Sequence, residues 1–259
     1  LILHPSSFIM NVDLNCDLGE SFGPWIMGND ARIMQYISSA NIACGFHAGD
    51  PGIMRETVRM ALKHHVAIGA HPGFPDLQGF GRREIKATPE EVFAMTLYQI
   101  GALQAIARAE GGFVRHVKPH GALYNMAAKD RILADAIARA VRQADPSLLL
   151  FGLSGSRLIE AGKAVGLRTV SEVFADRSYQ NDGSLTPRSQ AGAVLEKAED
   201  VGAQALQLVL LNEVKSMQGA VVSMQAETLC LHGDGPNALA FAQVIYTTLK
   251  EKKIEILAP

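Results

Sequence analysis

The stretch at residues 113–121 (FVRHVKPHG) carries the pattern that decides the fold. Its apolar run predicts a strand up to Lys118, and Pro119 predicts the strand end, because proline has no N–H for the next ladder hydrogen bond. His116, Lys118 and His120 are spaced two residues apart, so on an extended chain their side chains point to one face. The stretch therefore predicts a buried strand that ends in titratable groups.

The same pattern recurs along the chain, and most of the apolar runs are followed by a helical spacing of apolar residues. The seven predicted strands cover residues 9–15, 37–44, 66–71, 113–118, 148–153, 168–174 and 228–232. Strands that alternate with helices indicate a parallel sheet. Seven such units predict an α/β fold, a seven-stranded (β/α) barrel, with an open doubly wound sheet as the alternative.

The helices between these strands show typical starts. Asp50 before Pro51 predicts an N-cap with proline in the first turn, and residues 88–91 (TPEE) predict a capping box. Helical patterns cover residues 90–109, 130–144, 156–165, 191–214 and 237–251. Gln218-Gly219, within residues 214–226, predicts a hairpin partner for the last strand.

Composition and charge limit the function classes. The chain has 259 residues, of which 48% are hydrophobic and 19% are charged, values typical of a globular interior. We expect one domain over residues 10–259, with residues 1–9 as an N-terminal extension that lacks the basic start of a signal peptide. The net charge of −2 gives no basic surplus for binding nucleic acid or an anionic membrane. No apolar run approaches the ~18 residues of a spanning helix.

The cysteine pattern indicates the compartment. Cys16, Cys44 and Cys230 are an odd number, lie far apart, and include no CxxC pair. This pattern predicts free thiols in a reducing, cytoplasmic compartment. Cysteine is commonly a buried apolar residue, so we favour that role over a catalytic thiol for Cys16 and Cys44.

The polar residues that stand out follow the predicted strand ends, where (β/α) barrels place their active sites. They are Asn15, Asp17, Glu20, His47, His71, Lys118, His120, Glu172, Asp176, Arg177, His232 and Asp234. Histidines scattered over a surface would not collect at these junctions. The convergence therefore predicts one site at the mouth of the barrel.

A carboxylate and two imidazoles follow three consecutive strands. Asp17, His47 and His71 could together hold a divalent cation with open coordination positions. The alternative is a hydrogen-bonded Asp–His pair that orients a general base without a metal. No compact spacing such as HExxH decides between these two interpretations.

Other candidates also have two interpretations. We interpret Lys118 and His120 as functional groups beside an anionic or electrophilic substrate, and His116 as a core histidine. Asp176 and Arg177 are neighbours in sequence, a pattern that favours a structural ion pair as much as a binding role.

The Gly/Pro-rich segment at residues 69–83 is either a substrate-recognition loop or a rigid connector. In the first case Arg82 would clamp a carboxylate or phosphate. The sequence contains neither GxxxxGK[ST] nor GxSxG. Any ATP site is therefore not a P-loop, and no nucleophile elbow is predicted.

Six blocks of sequence resemble the LamB/YcsF family, in the family's order and from about Met10 to the C-terminus. The blocks are residues 13–23 (DLNCDLGESFG), 40–52 (ANIACGFHAGDPG), 69–83 (GAHPGFPDLQGFGRR), 116–125 (HVKPHGALYN), 172–179 (EVFADRSY) and 230–234 (CLHGD). The family is similar to the A subunit of the bacterial ATP-dependent 5-oxoprolinase. The resemblance implies a seven-stranded (β/α) barrel akin to the glycoside hydrolase/deacetylase superfamily. It also implies that 5-oxo-L-proline is opened to L-glutamate with ATP hydrolysis, together with subunits B and C.

Residue type and position, rather than the resemblance, assign the chemical roles. We expect Lys118 with Arg82 or Arg177 to face the charge of the γ-phosphoryl group. The other expected roles are Mg²⁺ binding or water activation for Asp17, His47 or His71 and proton transfer for His120 or His232. Substrate contacts are expected from Asn15, Glu20, Arg82, Glu172, Asp176, Arg177 and Asp234.

Two other functions stay open at the level of sequence. One is a stand-alone, metal-dependent amide hydrolase or deacetylase, which would need no ATP. The other is a non-catalytic subunit that only binds the lactam. The many titratable groups at the predicted mouth argue against the second of these, because binding alone seldom needs so many.

Overall fold

The computed structural model describes residues 10–235 and 237–259. The strands are β1 (Asn11–Leu18), β2 (Ser39–Ala43), β3 (Ala67–His71), β4 (Val114–Val117), β5 (Leu149–Leu153), β6 (Thr169–Phe174), β7 (Glu213–Lys215), β8 (Val221–Ser223), β9 (Thr228–His232) and β10 (Glu255–Ile256). The helices are α1 (Asp30–Ile33), α2 (Pro51–Lys63), α3 (Pro89–Ala109), α4 (Gly121–Ala127), α5 (Arg131–Ala144), α6 (Arg157–Ala164), α7 (Ala198–Leu211) and α8 (Ala238–Glu251). The expected N-terminal extension, residues 1–9, lies outside the described residues.

Seven parallel strands close into a barrel. Their order is β1-β2-β3-β4-β5-β6-β9, and β9 pairs back onto β1, from Thr228 opposite Asp13 to His232 opposite Asp17. The seven strands that form the barrel are the seven that the sequence predicted. The predicted seven-stranded (β/α) barrel is therefore confirmed, and the open-sheet alternative is wrong.

The predicted starts of α2 and α3 are also confirmed. The Asp50 side chain accepts hydrogen bonds from the backbone N–H groups of Gly52 and Ile53. Thr88 accepts one from the N–H of Glu91, whose carboxylate in turn accepts one from the N–H of Thr88. Each such cap contributes about 1 kcal/mol and fixes the point at which the preceding loop must end.

The first strand is longer than predicted. The sequence placed its end at residue 15, whereas β1 pairs with β2 as far as Leu18, opposite Ile42. Cys16 and Leu18 pack into the hydrophobic core. Because side chains alternate along a strand, Asn15 and Asp17 point to the other face, into the barrel. Their polar side chains are typical of a loop, which is why the predicted strand ends too early.

The helix predicted over residues 191–214 is shorter at both ends, since α7 covers only the central part. The residues before it fold back onto the end of β6. The N–H of Leu195 donates to the carbonyl of Asp176, and the N–H of Ser178 donates to the carbonyl of Ala193. These tertiary hydrogen bonds hold the segment extended and override its helical pattern.

The hairpin predicted around Gln218-Gly219 forms, but it is not a partner of the last barrel strand. β7 and β8 pair only with each other, whereas β9 pairs with β6 and β1. The sequence did not predict α4 or β10. α4 follows His120 without a side-chain cap, so the usual signal of a helix start is missing.

The two faces of the barrel strands differ in polarity. Apolar side chains between the strands and the outer helices form one extended hydrophobic core. Inside the barrel lies a stack of buried polar residues: Asp13, Asn15, Asp17, Asn41, His116, Lys118, Glu172 and Thr228. This stack leads up to the carboxyl ends of the strands. None of the helices described here is long and apolar enough to cross a lipid bilayer.

Candidate active site

The carboxyl ends of the barrel strands open into a cavity of about 550 Å³. Seven predicted site residues line it: Asp17, His71, Arg82, Lys118, His120, Arg177 and His232. Most of these side chains are buried beneath the cavity rather than exposed on its rim. Buried titratable groups under an accessible cavity are the usual form of a catalytic site.

The other six predicted site residues lie one contact behind this lining. Asn15 and Glu172 contact Lys118, Glu20 and His47 contact His120, Asp176 contacts His232, and Asp234 contacts Arg82. The predicted residues therefore come together at one end of the barrel, but the sequence did not separate the residues that face the cavity from those that hold them.

Lys118 is the centre of a group of four buried side chains, Asp17, Lys118, Glu172 and Cys230, which we call the ammonium cluster. Its Nζ lies 2.8 Å from Asp17 Oδ1, 2.9 Å from Glu172 Oε1 and 2.9 Å from Cys230 Sγ. Asn15 Oδ1 lies 3.2 Å away. Two carboxylates therefore compensate one buried ammonium, an arrangement that removal of any single partner would disrupt.

Burial and charge oppose each other in this cluster. Burial alone would raise the pKa of Asp17, but His71 and the Lys118 ammonium outweigh it and hold that pKa well below its usual range. Burial likewise opposes the charge on Lys118, yet Asp17 and the other acidic groups around it raise its pKa well above the usual value. Both groups therefore stay charged at neutral pH.

Asn41 and His116 extend the hydrogen bonds into the barrel. Asn41 Nδ2 donates to Asn15 Oδ1 at 2.7 Å and to Asp17 Oδ1 at 2.8 Å, and its own Oδ1 lies 2.8 Å from His116 Nε2. The His116 ring stacks on Phe151, with 4.2 Å between centroids. Burial lowers the pKa of His116 to about 3. The prediction that His116 is a core histidine is confirmed.

Glu20, His47, His71 and His120 form a second group, which we call the imidazole cluster. His120 Nδ1 lies 2.9 Å from His71 Nε2, and Glu20 Oε1 lies 3.6 Å from His47 Nε2 and 3.7 Å from His120 Nδ1. The His47 ring stacks flat on His120 at 3.8 Å, whereas the His71 ring stands at 85° to His120. Among the described residues, Glu20 Oε1 and both ring nitrogens of His47 have no hydrogen-bond partner.

Backbone carbonyls fix the outer sides of two of these rings. His71 Nδ1 lies 2.6 Å from the carbonyl oxygen of Lys118, and His120 Nε2 lies 2.8 Å from that of Phe80. A carbonyl oxygen can only accept a hydrogen bond, so these two nitrogens carry the protons. In the neutral rings, the remaining nitrogens turn their lone pairs toward the cluster.

Burial also sets the protonation of the imidazole cluster. It lowers the pKa of His47 and of His120 well below the usual range, and the neighbouring imidazoles add to the effect. It raises the pKa of Glu20 well above the usual range, with the charge of Asp17 acting in the same direction. Neutral imidazoles are competent as proton acceptors and as ligands.

The Gly/Pro-rich segment at residues 69–83 packs closely over the imidazole cluster. Gln99 of α3 hydrogen-bonds both backbone groups of Gly73 at 2.9 Å. A Cβ at Gly73 would lie 2.6 Å from His47 Nδ1, and one at Gly81, where φ is +64°, would lie 2.7 Å from His47 Cβ. These contacts favour the rigid-connector interpretation, with glycines that let the backbone approach the rings.

Arg82 is, with His71, a residue of this segment that lines the cavity. Its Nη2 donates to Asp234 Oδ2 at 2.6 Å, and its guanidinium lies over the Phe80 ring, 4.8 Å from the centroid. The ion pair joins the segment to the loop after β9. It leaves part of the guanidinium facing the cavity.

Of the two interpretations of Asp176 and Arg177, the structural ion pair is wrong, since the described residues form no such pair. Asp176 Oδ2 instead lies 2.9 Å from His232 Nδ1, which it can orient. Arg177 donates to the carbonyl oxygens of Ala193 and Thr186 and so holds the loop after β6 in place. Burial lowers the pKa of Arg177 to about 10, which leaves it charged at neutral pH.

The structure divides the predicted cation ligands Asp17, His47 and His71 between two groups. Among the described residues, two groups have ligand atoms that all lie within 4.8 Å of one another. The first is Glu20, His47, His71 and His120, and the second is Asp17, Cys230 and His232. Asp17 reaches the first group through one contact, 3.4 Å from its Oδ2 to His71 Nε2. The carboxylate beside His47 and His120 is Glu20, which the sequence placed among the substrate contacts.

Several cavity residues, Tyr124 and Arg188 among them, were not among the predicted site residues. Tyr124 lines the cavity and donates from its hydroxyl to Glu172 Oε2 at 2.7 Å. Arg188, on the loop after β6, also lines it. Tyr124 follows His120 by about one helical turn, so it would have been found if α4 had been predicted.

The three cysteines are free and buried, as the sequence predicted. Burial raises the pKa of each thiol, for Cys44 to about 12. A protonated, buried thiol is a poor nucleophile, which agrees with the structural role expected for Cys16 and Cys44.

Fold and site together define the class of protein. A closed (β/α) barrel with buried acids and bases under a cavity at the carboxyl ends of its strands is the architecture of a barrel enzyme. The profile of the LamB/YcsF family matches residues 12–259. The chain belongs to the LamB/YcsF family.

Similar proteins agree with this assignment. The A subunit of the 5-oxoprolinase of Geobacillus kaustophilus (strain HTA426) is 58% identical over 248 residues, which are 96% of each chain. The crystal structure of the lactam utilization protein from Thermus thermophilus is similar at 49% identity and a TM-score of 0.92, and covers 96% of this chain and 100% of that one. A putative cellobiose-phosphate cleavage protein from Enterococcus faecalis V583 has a TM-score of 0.56 at 15% identity, over 96% of this chain and 97% of that one, and shares the fold alone.

Proposed function

We propose that this chain is the A subunit of a 5-oxoprolinase, and that it opens 5-oxo-L-proline to L-glutamate with ATP hydrolysis in a complex with subunits B and C. The observation that carries the proposal is the 58% identity, over 96% of each chain, to a protein named as the A subunit of 5-oxoprolinase. The three buried free thiols agree with a reducing, cytoplasmic location.

The chemistry of a five-membered lactam explains the use of ATP. The ring is an unstrained amide with a weakly electrophilic carbonyl carbon and a poor leaving group. Transfer of the γ-phosphoryl group to the lactam oxygen releases ADP and makes the carbon open to attack by water. The C–N bond then breaks as the nitrogen takes a proton, and a second water releases phosphate from the resulting acyl phosphate. One lactam, one ATP and two waters give glutamate, ADP and phosphate.

The cavity has groups suited to these steps. Arg82 and Arg188 lie along it and suit the carboxylate of the lactam or a phosphoryl group. Lys118 is already paired with two carboxylates, so we assign it to holding Asp17 in place rather than to the phosphoryl charge. His232, which lines the cavity and is oriented by Asp176, accepts and returns the protons of water and nitrogen.

The experiment measures phosphate and glutamate in parallel. The chain, purified with subunits B and C from the same source, is given 5-oxo-L-proline and ATP. We expect glutamate and phosphate in equal amounts, dependent on ATP and on this chain. Glutamate formed by the chain alone without ATP would replace the proposal with the stand-alone amide hydrolase. Absence of glutamate from the full mixture would overturn it.

A further inference from the structure

We propose that Glu20, His71 and His120 bind one divalent transition-metal ion at the mouth of the barrel. The inference does not rest on the proposed function, because it follows from the arrangement of lone pairs in the imidazole cluster. Glu20 is only 6% exposed and its Oε1 has no hydrogen-bond partner among the described residues, although it lies 3.7 Å from His120 Nδ1. A buried, unpartnered carboxylate oxygen beside two imidazoles marks a place for a cation.

The two facing histidine nitrogens need either a proton or a metal ion between them. His71 Nε2 and His120 Nδ1 are 2.9 Å apart, and both rings already donate their other N–H to backbone carbonyls, of Lys118 and Phe80. In neutral rings, two lone pairs would face each other at hydrogen-bond distance. Metal-binding histidines use this same arrangement, in which a carbonyl accepts the outer N–H and orients the inner lone pair.

The distances and angles suit a single ion. A tetrahedral ion with bonds of about 2.0–2.1 Å has ligand atoms about 3.3 Å apart. The distances from His120 Nδ1 are 2.9 Å to His71 Nε2 and 3.7 Å to Glu20 Oε1, on either side of that value. The His71 and His120 rings stand at 85°, so their planes intersect and both in-plane lone pairs can point to one position.

His47 supports this site rather than completing it. Its ring is parallel to that of His120, within 4° and at 3.8 Å, so an ion in the plane of one ring is out of the plane of the other. Stacking of this kind holds the His120 ring in its orientation. His71 and His120 line the cavity, so the ion would keep a coordination position open toward it, where it could polarise a carbonyl oxygen or acidify a water.

The other candidate metal-binding group already contacts a cation, the Lys118 ammonium. Asp17 and Cys230, which form it together with His232, both lie within 2.9 Å of the Lys118 ammonium. The imidazole cluster has no ammonium or guanidinium in direct contact among the described ion pairs. Two imidazoles and one carboxylate favour Zn²⁺, Co²⁺, Mn²⁺ or Fe²⁺ over Mg²⁺, which prefers oxygen ligands.

Cobalt titration of the wild-type chain tests the inference directly. The chain is freed of metal with a chelator, which is then removed, and Co²⁺ is added. We expect one equivalent to bind, with visible d–d absorption and without a thiolate-to-cobalt charge-transfer band, since the imidazole cluster contains no sulfur. Binding at the other group would include Cys230 and would produce that band. Absence of bound Co²⁺, Zn²⁺ and Mn²⁺ would show that a proton alone separates the two nitrogens and would overturn the proposal.

Matched variants locate the ion. His120→Asn and Glu20→Gln should each weaken Co²⁺ binding by more than the roughly 10- to 100-fold that loss of an outer hydrogen-bond partner costs. His232→Asn, a change of the same kind in the other group, should still bind one equivalent. Circular dichroism confirms that each variant is folded. Retention of the ion by His120→Asn together with its loss from His232→Asn would overturn the assignment.

Discussion

The ammonium cluster and the imidazole cluster meet at the barrel mouth through a 3.4 Å contact between Asp17 Oδ2 and His71 Nε2, yet their polar atoms are satisfied in different ways. In the ammonium cluster, Lys118 contacts two carboxylates and a thiol. In the imidazole cluster, His71 Nε2 and His120 Nδ1 face each other at 2.9 Å and Glu20 Oε1 has no partner among the described residues. The first arrangement stabilises the folded barrel, whereas the second is kept available for a ligand or for moving protons.

Lys118→Met should have the largest effect on stability. It removes the cation between Asp17 and Glu172 and leaves two buried carboxylates without compensation. We expect the free energy of unfolding, measured by urea denaturation, to fall by about 3–5 kcal/mol. A double variant with Glu172→Gln should recover part of this loss. A Lys118→Met variant as stable as the wild type would show that the ammonium cluster does not stabilise the fold.

The next largest effect is a pH dependence of stability. It comes from Asp13, which is buried deeper in the same barrel interior. Burial raises the pKa of Asp13 from 3.8 to about 6, although Ser38, Thr228 and Ser39 donate to it. The folded state therefore binds this proton more tightly than the unfolded state. The contribution to stability is fully present below pH 3.8 and is lost as the pH rises through about 6, with an upper limit of about 3 kcal/mol.

The variant Asp13→Asn isolates this contribution, because its amide does not titrate. Urea unfolding of both proteins is compared from about pH 4 to about pH 7.5, a range that spans the titration of the buried carboxyl. The wild type should lose stability relative to the variant as the pH rises, with the change centred between 3.8 and about 6. A difference that stays constant over this range would contradict the prediction.

Glu20→Gln should change stability by less than about 1 kcal/mol, because the oxygen it alters has no hydrogen bond to lose. The same substitution should strongly reduce glutamate formation in the assembled enzyme. This result would distinguish the two clusters, since the substitution in the ammonium cluster lowers stability and the substitution in the imidazole cluster lowers only activity. A Glu20→Gln chain that is destabilised like Lys118→Met would remove the distinction.

Arg82→Gln should have the smallest effect on stability. The Arg82–Asp234 ion pair lies on the partly exposed rim, where such pairs contribute about 0–1 kcal/mol. Arg82 also faces the cavity, so we expect a higher KM for the lactam with a smaller change in kcat. A variant with unchanged KM would exclude Arg82 from substrate binding.

Local signals predicted much of the fold. Asp50 and Thr88 form the caps that their positions predicted, and Pro119 follows the end of β4 as expected. Such features depend on neighbours within a few residues, so the sequence displays them directly. The early strand end predicted at residue 15 failed because a polar residue on a strand usually faces water. Here it faces a barrel interior filled with hydrogen bonds.

The pairing of the site residues could not be predicted, because it depends on contacts between residues that are far apart in sequence. The partner of Asp176 is His232, 56 residues away, rather than its neighbour Arg177. Glu20 lies beside His47 and His120, whereas β1 continues to Leu18 and places Asp17 between Lys118 and His71. The sequence showed which residue types collect at the strand ends, while the pairing among them depended on how the strands close.

We propose that the mouth of this barrel is the catalytic site of a 5-oxoprolinase. The most direct test compares glutamate formation by complexes assembled with subunits B and C and containing the wild-type chain, His120→Asn or His64→Ala, which alters an exposed histidine away from the cavity. We expect His120→Asn to lower glutamate formation at least about 100-fold, because it removes a metal ligand at the reaction site, while His64→Ala matches the wild type. Wild-type rates from the His120→Asn complex, with the chain folded and assembled, would contradict it.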